Sequence, residues 1–197
     1  MIVGLTGKSC SGKDRVASLL DERFVVIDED RIGHEALEKN IGRIREAFGE
    51  GVISGGAVDR KKLGPVVFSS AEKLALLNSI THPWMVDETI RRCREIEKEG
   101  KIAVINAAIL EEMGFVPYCD EIIFVLAPYE KRLERALKRD GVSEEAFRRR
   151  SESQKSIGSG LFSSGKKVVT IINDKDDEEL SRQVGSYCAT MKKARVQ

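Results

Sequence analysis

Gly4-Leu5-Thr6-Gly7-Lys8-Ser9-Cys10-Ser11-Gly12-Lys13 follows the apolar start Met1-Ile2-Val3 and precedes a helical stripe of Val16, Leu19 and Leu20. Strand, loop and helix in that order decide the fold. In G-x-x-x-x-G-K the chain wraps so that backbone N–H groups face a phosphate. The glycines permit backbone angles that other residues resist, and the following helix adds partial positive charge at its start. Gly7, Gly12 and Lys13 stand at that spacing, which makes Gly7, Lys8, Ser9, Cys10, Ser11, Gly12, Lys13, Asp14 and Arg15 the nucleotide-binding candidates.

Asp14 departs from the pattern, which calls for Ser or Thr to place a hydroxyl on Mg²⁺. A carboxylate is a stronger oxygen ligand for magnesium, so Asp14 is a candidate metal ligand. It equally suits the first turn of a helix, where the dipole favours negative charge. Both readings stand.

The 197 residues suffice for one substantial core with a smaller appended part. Lys plus Arg number 33 against 32 Asp plus Glu, so no overall field draws the chain to nucleic acid or to an anionic membrane. Cys10, Cys93, Cys119 and Cys188 are far apart, with no C-x-x-C pair and no zinc spacing, which suits a reduced cytoplasmic protein. No stretch reads as a signal peptide or a membrane span.

Short apolar runs at Ile2 to Leu5, Phe24 to Ile27, Ile102 to Ile105, Ile122 to Leu126 and Val168 to Ile172 alternate with helical patterns. Five buried parallel strands between helical layers are expected, an α/β three-layer sandwich with ligands at the carboxyl ends of the strands. Asp28-Glu29-Asp30 ends the second run and Asn106 the third. Asp30 can take a proton from a hydroxyl or hold magnesium through water, or the acidic pair can cap the next helix.

More than seventy residues separate the second and third runs, far beyond one crossover helix, so a helical insert over 31–100 is expected. Its helices should break at His82-Pro83. His82 has several possible roles, capping and packing among them. From Pro128 the chain reads helical and runs into a charged stretch ending at Gln154, with few residues to anchor a core, as a mobile lid over 139–155 would. Arg139 and Arg150 there are either phosphate-closing cations or part of a solvated helix face. The Gly158 to Lys167 stretch is expected as a surface loop, and the tail after Ala189 as disordered. Residues 1–30, 101–138 and 156–197 remain for the core. Asn173-Asp174, after the last strand, either offers an amide to an adenine edge or makes a simple turn.

These pieces resemble the dephospho-coenzyme A kinase family from Ile2 to about Val184. The likeness rests on GLTGKSCSGKD, VIDEDRIGHEAL, VDRKKLGPVVFSSAEKLALLNSITHPWM and RLERALKRDGVSEEAFRRRSESQ. It implies a P-loop kinase fold with a helical coenzyme-binding insert and a lid. It also implies ATP with Mg²⁺, and dephospho-coenzyme A as the acceptor, phosphorylated on its ribose 3′-hydroxyl. By that likeness Lys13 contacts the β and γ phosphates, Asp30 is the base and a metal ligand, Arg139 and Arg150 are lid arginines, and Asn173 lies near adenine. His82 and Glu112 fall to the acceptor site. Lys8 and Cys10 stand where the family usually has glycines, and Asn106 where it usually has Asp. One carboxylate lost at Asn106 and one gained at Asp14 leave the local acidic count unchanged.

Overall fold

The computed structural model describes residues 1–194, and the side chains of all of these except 139–140 and 192–194. The chain divides into two compact units, Met1–Ile27 with Cys93–Gln197, and Asp28–Arg92.

The first unit holds a five-stranded parallel sheet. Its strands are β1 (Ile2–Thr6), β2 (Phe24–Asp28), β5 (Ile102–Asn106), β6 (Glu121–Leu126) and β7 (Lys167–Ile172), in the order β2-β5-β1-β6-β7. Central β1 pairs Gly4 with Ile105 on one side and with Ile122 on the other. Every residue of β1 and β5 is buried, which requires cover on both faces. On one face, α1 (Lys13–Leu19) and α8 (Asp177–Ala194) pack Val16, Leu180, Val184, Tyr187, Cys188 and Met191 against Val3, Leu5, Val104, Ile123 and Val125. The α8 residues recur at helical spacing, and this stripe keeps the chain helical from Ala189 to Ala194, where disorder was expected, while 195–197 lie outside the described residues.

Pro128 precedes α6 (Tyr129–Asp140), and Ser143 caps α7 (Glu144–Ser153) by accepting from the Ala146 N–H at 3.2 Å. The charged stretch is anchored after all: Phe147 is fully buried, its ring centroid 5.6 Å from that of Tyr129. The Gly and Ser stretch that follows is closed at its start by Glu111, whose two oxygens accept from the Gly158 and Gly160 N–H groups at 2.8 and 3.0 Å. Leu161 within it is fully buried, so it is only partly a surface loop.

The second unit contains α2 (Glu29–Lys39), α3 (Ile41–Phe48), the hairpin β3 (Ile53–Ser54) and β4 (Ala57–Val58), α4 (Arg60–Val67) and most of α5 (Ala71–Lys98). Ile44, Val52, Val58, Leu63, Val67 and Ile80 form its core. Gly55 and Gly56, both at positive φ, make the hairpin turn, a two-glycine signal that the sequence carried and helical periodicity did not register. The expected break at His82-Pro83 is absent, since α5 runs continuously through Pro83. An internal proline removes one helical hydrogen bond and costs about 3 kcal/mol. Here buried Ile80 and Ile90 hold the helix on both sides of it.

The charged Asp28-Glu29-Asp30 run divides by role. Asp28 caps α2, its carboxylate accepting from the Asp30 N–H at 3.0 Å. Glu29 turns inward and is buried, one oxygen accepting from the Thr89 hydroxyl at 2.8 Å and the other without a partner. Burial pushes its carboxyl up to about 7. The Thr89 bond and Arg92 oppose the rise, and the charges of Asp28 and Asp30 add to it.

Because the unfolded chain ionises Glu29 near pH 4.5 and the folded chain only near 7, the unfolded state binds fewer protons between those values, and this group lowers stability as pH rises through the window. Glu29→Gln removes the effect. Urea unfolding should find the variant as stable as the parent near pH 4.5, and more stable by about 2 kcal/mol at pH 8.

Candidate active site

The turn between β1 and α1 has the geometry its spacing calls for. A side chain at Gly7 would stand 2.6 Å from the Val125 carbonyl oxygen, so the loop leaves β1 against β6 too closely for any Cβ. Gly12 lies at φ +96°, and a Cβ there would meet the Asn173 amide nitrogen at 2.1 Å. Cys10 also sits at positive φ, 61°, which costs an L-residue about 1 kcal/mol and gives a physical reason for glycine at that place.

The loop's carbonyls are held from behind. Arg132 donates to the Ser9 carbonyl at 3.4 Å, and Arg135 to those of Cys10 and Ser11 at 3.3 Å each. The Asn173 amide donates to the Ser11 carbonyl at 2.8 Å, while its oxygen accepts from Arg135 at 3.0 Å. The Asn173 side chain is thus engaged through both its nitrogen and its oxygen, one amide N–H going to the loop and the oxygen to Arg135. Gln154 accepts from the Ser9 N–H at 2.8 Å. The Ser11 hydroxyl is buried with no protein partner, a polar atom left for a ligand or water to satisfy.

At the start of α1, Lys13 donates to Asp14 at 2.9 Å, and the buried Asn106 amide donates to the same Asp14 oxygen at 3.1 Å. The two positions that exchange a carboxylate relative to the resemblance are therefore in contact. The Asn106 carbonyl oxygen is buried without a partner. Asp14 is exposed, and its carboxylate is an oxygen donor of the kind Mg²⁺ takes, while the Asn106 amide meets it through nitrogen. Among the described residues no group of three His, Cys, Asp or Glu side chains converges as a metal site.

Other expected residues are placed elsewhere. Arg15 is exposed and pairs with Asp177 on α8, which raises its pKa through that hydrogen bond. Lys8 is half-buried. Arg150 is exposed on α7, and the Arg139 side chain lies outside the described residues. Glu112 is exposed and lines a cavity of about 160 Å³ with Thr6, Glu111, Ser156 and Ser159. In the second unit, Asp30 is an exposed carboxylate in the first turn of α2, and His82 is half-buried on α5. Arg132, Arg135 and Gln154 were missed by sequence reasoning. They belong to the quoted charged stretch, and only their recurrence on one side of α6, at 132 and 135, distinguished them from solvated charge.

The family model for dephospho-CoA kinase matches residues 1–174. A dephospho-CoA kinase of Fusobacterium nucleatum is 34% identical over 97% of this chain and 98% of its own. One of Corynebacterium glutamicum is 40% identical over 77% of this chain and 81% of its own. In structure, a dephospho-CoA kinase from Campylobacter jejuni superposes with a TM-score of 0.74 at 22% identity, covering 98% of both chains, which speaks to the fold.

Gly12→Ala should disrupt the loop, since the new methyl displaces the Asn173 amide and φ +96° resists any L-residue. Thermal unfolding should report a loss of about 2 kcal/mol or more, against little change for Gly42→Ala, where no atom lies within 4 Å.

Proposed function

The chain belongs to the dephospho-CoA kinase family, and we propose that its 7–13 loop holds the triphosphate of ATP while Asp30 takes the proton from the ribose 3′-hydroxyl of dephospho-coenzyme A. It is a kinase of the last step of coenzyme A synthesis. The observation that carries the reading of the site is the loop itself, with the carbonyls of Ser9, Cys10 and Ser11 turned back onto Arg132, Arg135 and Asn173. With the Ser11 carbonyl held outward, the same peptide turns its Gly12 N–H the other way, toward a phosphate, while the Ser9 and Ser11 N–H groups donate to Gln154 and to the Lys8 carbonyl.

Lys13 supplies the cation for the β and γ phosphates, released from Asp14 or sharing it. The 3′-oxygen attacks the γ-phosphorus in line as its proton passes to the Asp30 carboxylate. The new O–P bond forms as the bond to the β–γ bridging oxygen breaks, and ADP leaves with that electron pair. Arg150, and Arg139 by family likeness, are the cations of the lid, which excludes water from the transfer. Asp14, with Asp30 as a further ligand, would hold Mg²⁺. The ion would supply charge neutralisation for the phosphate oxygens. Glu112 and His82 are assigned to the acceptor.

Purified protein with ATP, Mg²⁺ and dephospho-coenzyme A should yield ADP and the 3′-phosphorylated product. Failure to form that ester, with ATP bound, would end the acceptor assignment. Asp30→Ala should cut kcat by 10²-fold or more and change the ATP affinity little, and equal losses in both would make Asp30 a binding residue instead.

Asp14 can be tested apart from turnover. In a Mg²⁺ titration of the nucleotide-bound protein, Asp14→Ala should weaken the apparent metal affinity about tenfold, and Asn106→Asp in the Asp14→Ala background should recover it. Metal affinity unchanged by Asp14→Ala would leave that residue as a partner of Lys13 only.

A further inference from the structure

We infer that Arg132 is a positioning residue whose charge is held in reserve behind the Ser9 carbonyl, to be balanced only when a polyphosphate fills the loop. This rests on the reading of the loop as an ATP cradle and goes beyond it, because Arg132 is neither of the arginines that the likeness assigns to the lid.

The side chain is 6% exposed, and a buried guanidinium ordinarily has a carboxylate beside it. Among the described residues no carboxylate reaches this one. Its Nη1 donates to the Ser9 carbonyl at 3.4 Å and its Nη2 to the Ser151 hydroxyl at 3.1 Å, and its buried Nε has no partner. The guanidinium carbon lies 5.8 Å from the centroid of Tyr129 and 5.7 Å from that of Phe147, so two ring faces replace water. Glu130, the carboxylate whose charge acts on it, is exposed and makes no direct contact with it. Arginine cannot shed its proton as a buried lysine or histidine can. The cation is therefore present, desolvated and short of negative charge.

Its placement says which anion it serves. Ser9 is gripped on both backbone polar groups, its N–H by Gln154 and its carbonyl by Arg132, so the guanidinium is fixed against the loop by its contact at Ser9. Positive charge behind a carbonyl also polarises the peptides whose N–H groups face the cradle. Triphosphate carries the largest negative charge this loop is built to meet, and in a poorly solvated setting the attraction persists across the width of a peptide.

A purely structural arginine and a reserved charge respond differently to substitution. Arg132→Gln keeps a donor for Ser9 but no charge, and Arg132→Lys keeps the charge. The full-length wild type is first shown to bind ATP by calorimetric titration, since absence of binding there would overturn the cradle reading itself. Given that binding, Arg132→Gln should weaken ATP about tenfold while the ligand-free melting temperature holds or rises, because a costly buried cation has gone. Arg132→Lys should stay within about threefold of wild type in ATP affinity. ATP affinity of Arg132→Gln within twofold of wild type overturns the inference and leaves the kinase reading intact. So does a fall in its ligand-free melting temperature without loss of affinity. Should Arg132→Gln not fold, Arg132→Met, which fills the space between the rings, takes its place under the same criteria. Failure of both to fold would make Arg132 a structural residue and overturn the inference.

Discussion

A loop that turns its N–H groups toward a phosphate must send its carbonyls the other way, and in a packed protein those carbonyls need donors. That constraint organises the first unit. Arg132 and Arg135 come from α6, and Asn173 follows β7, so the donors behind the loop are supplied by segments distant in sequence from it. The sheet order places β6 and β7 on one side of β1, which brings α6 and the end of β7 to the loop that leaves β1. Gly7 passes the Val125 carbonyl and Gly12 passes the Asn173 amide, and each is glycine because the bracing atoms are already there.

Charge around the loop follows from the same crowding. Asp14 accepts from both Lys13 and Asn106 on one oxygen. With an aspartate at position 106, two carboxylates would meet where an amide now donates, and like charges at that separation oppose each other strongly without a cation between them. The amide and the extra carboxylate are thus two parts of one substitution in physical terms. The loop has a doubly hydrogen-bonded Asp14 and a buried Asn106 oxygen without a protein partner, with no carboxylate pair to repel.

The five strands were legible because each carries a short, mostly apolar run between helical patterns, although β7 buries only Ile171, and the loop because glycine at fixed spacing has a steric cause. Residue-by-residue contacts were not. Gln154 and Arg135 look like any polar residue on a charged helix until the fold carries them to Ser9 and Ser11. Asn173 stands out in sequence only for its place after a strand, and the structure adds its bonds to the Ser11 carbonyl and to Arg135. Pro83 reads as a break because proline disfavours helix interiors locally, whereas burial of Ile80 and Ile90 is decided by the whole unit. Helix α8 continues past Ala189 for a similar reason: Met191 is part of a stripe that begins eleven residues earlier, at Leu180.

Glu29 and Arg132 set the two units apart in how they bear a buried ionisable group. Each has an atom with no partner, and each sits where burial disfavours charge. Glu29 has a route out, since a carboxyl raised to about 7 takes up a proton and becomes a neutral neighbour of Thr89 at mildly acid pH. Arg132 has none, because guanidinium stays charged at any pH the fold survives. The first group therefore registers solvent pH as stability. The second registers only what is brought to the loop, so its unpaired state is tolerable in a protein that meets a polyphosphate in every turnover.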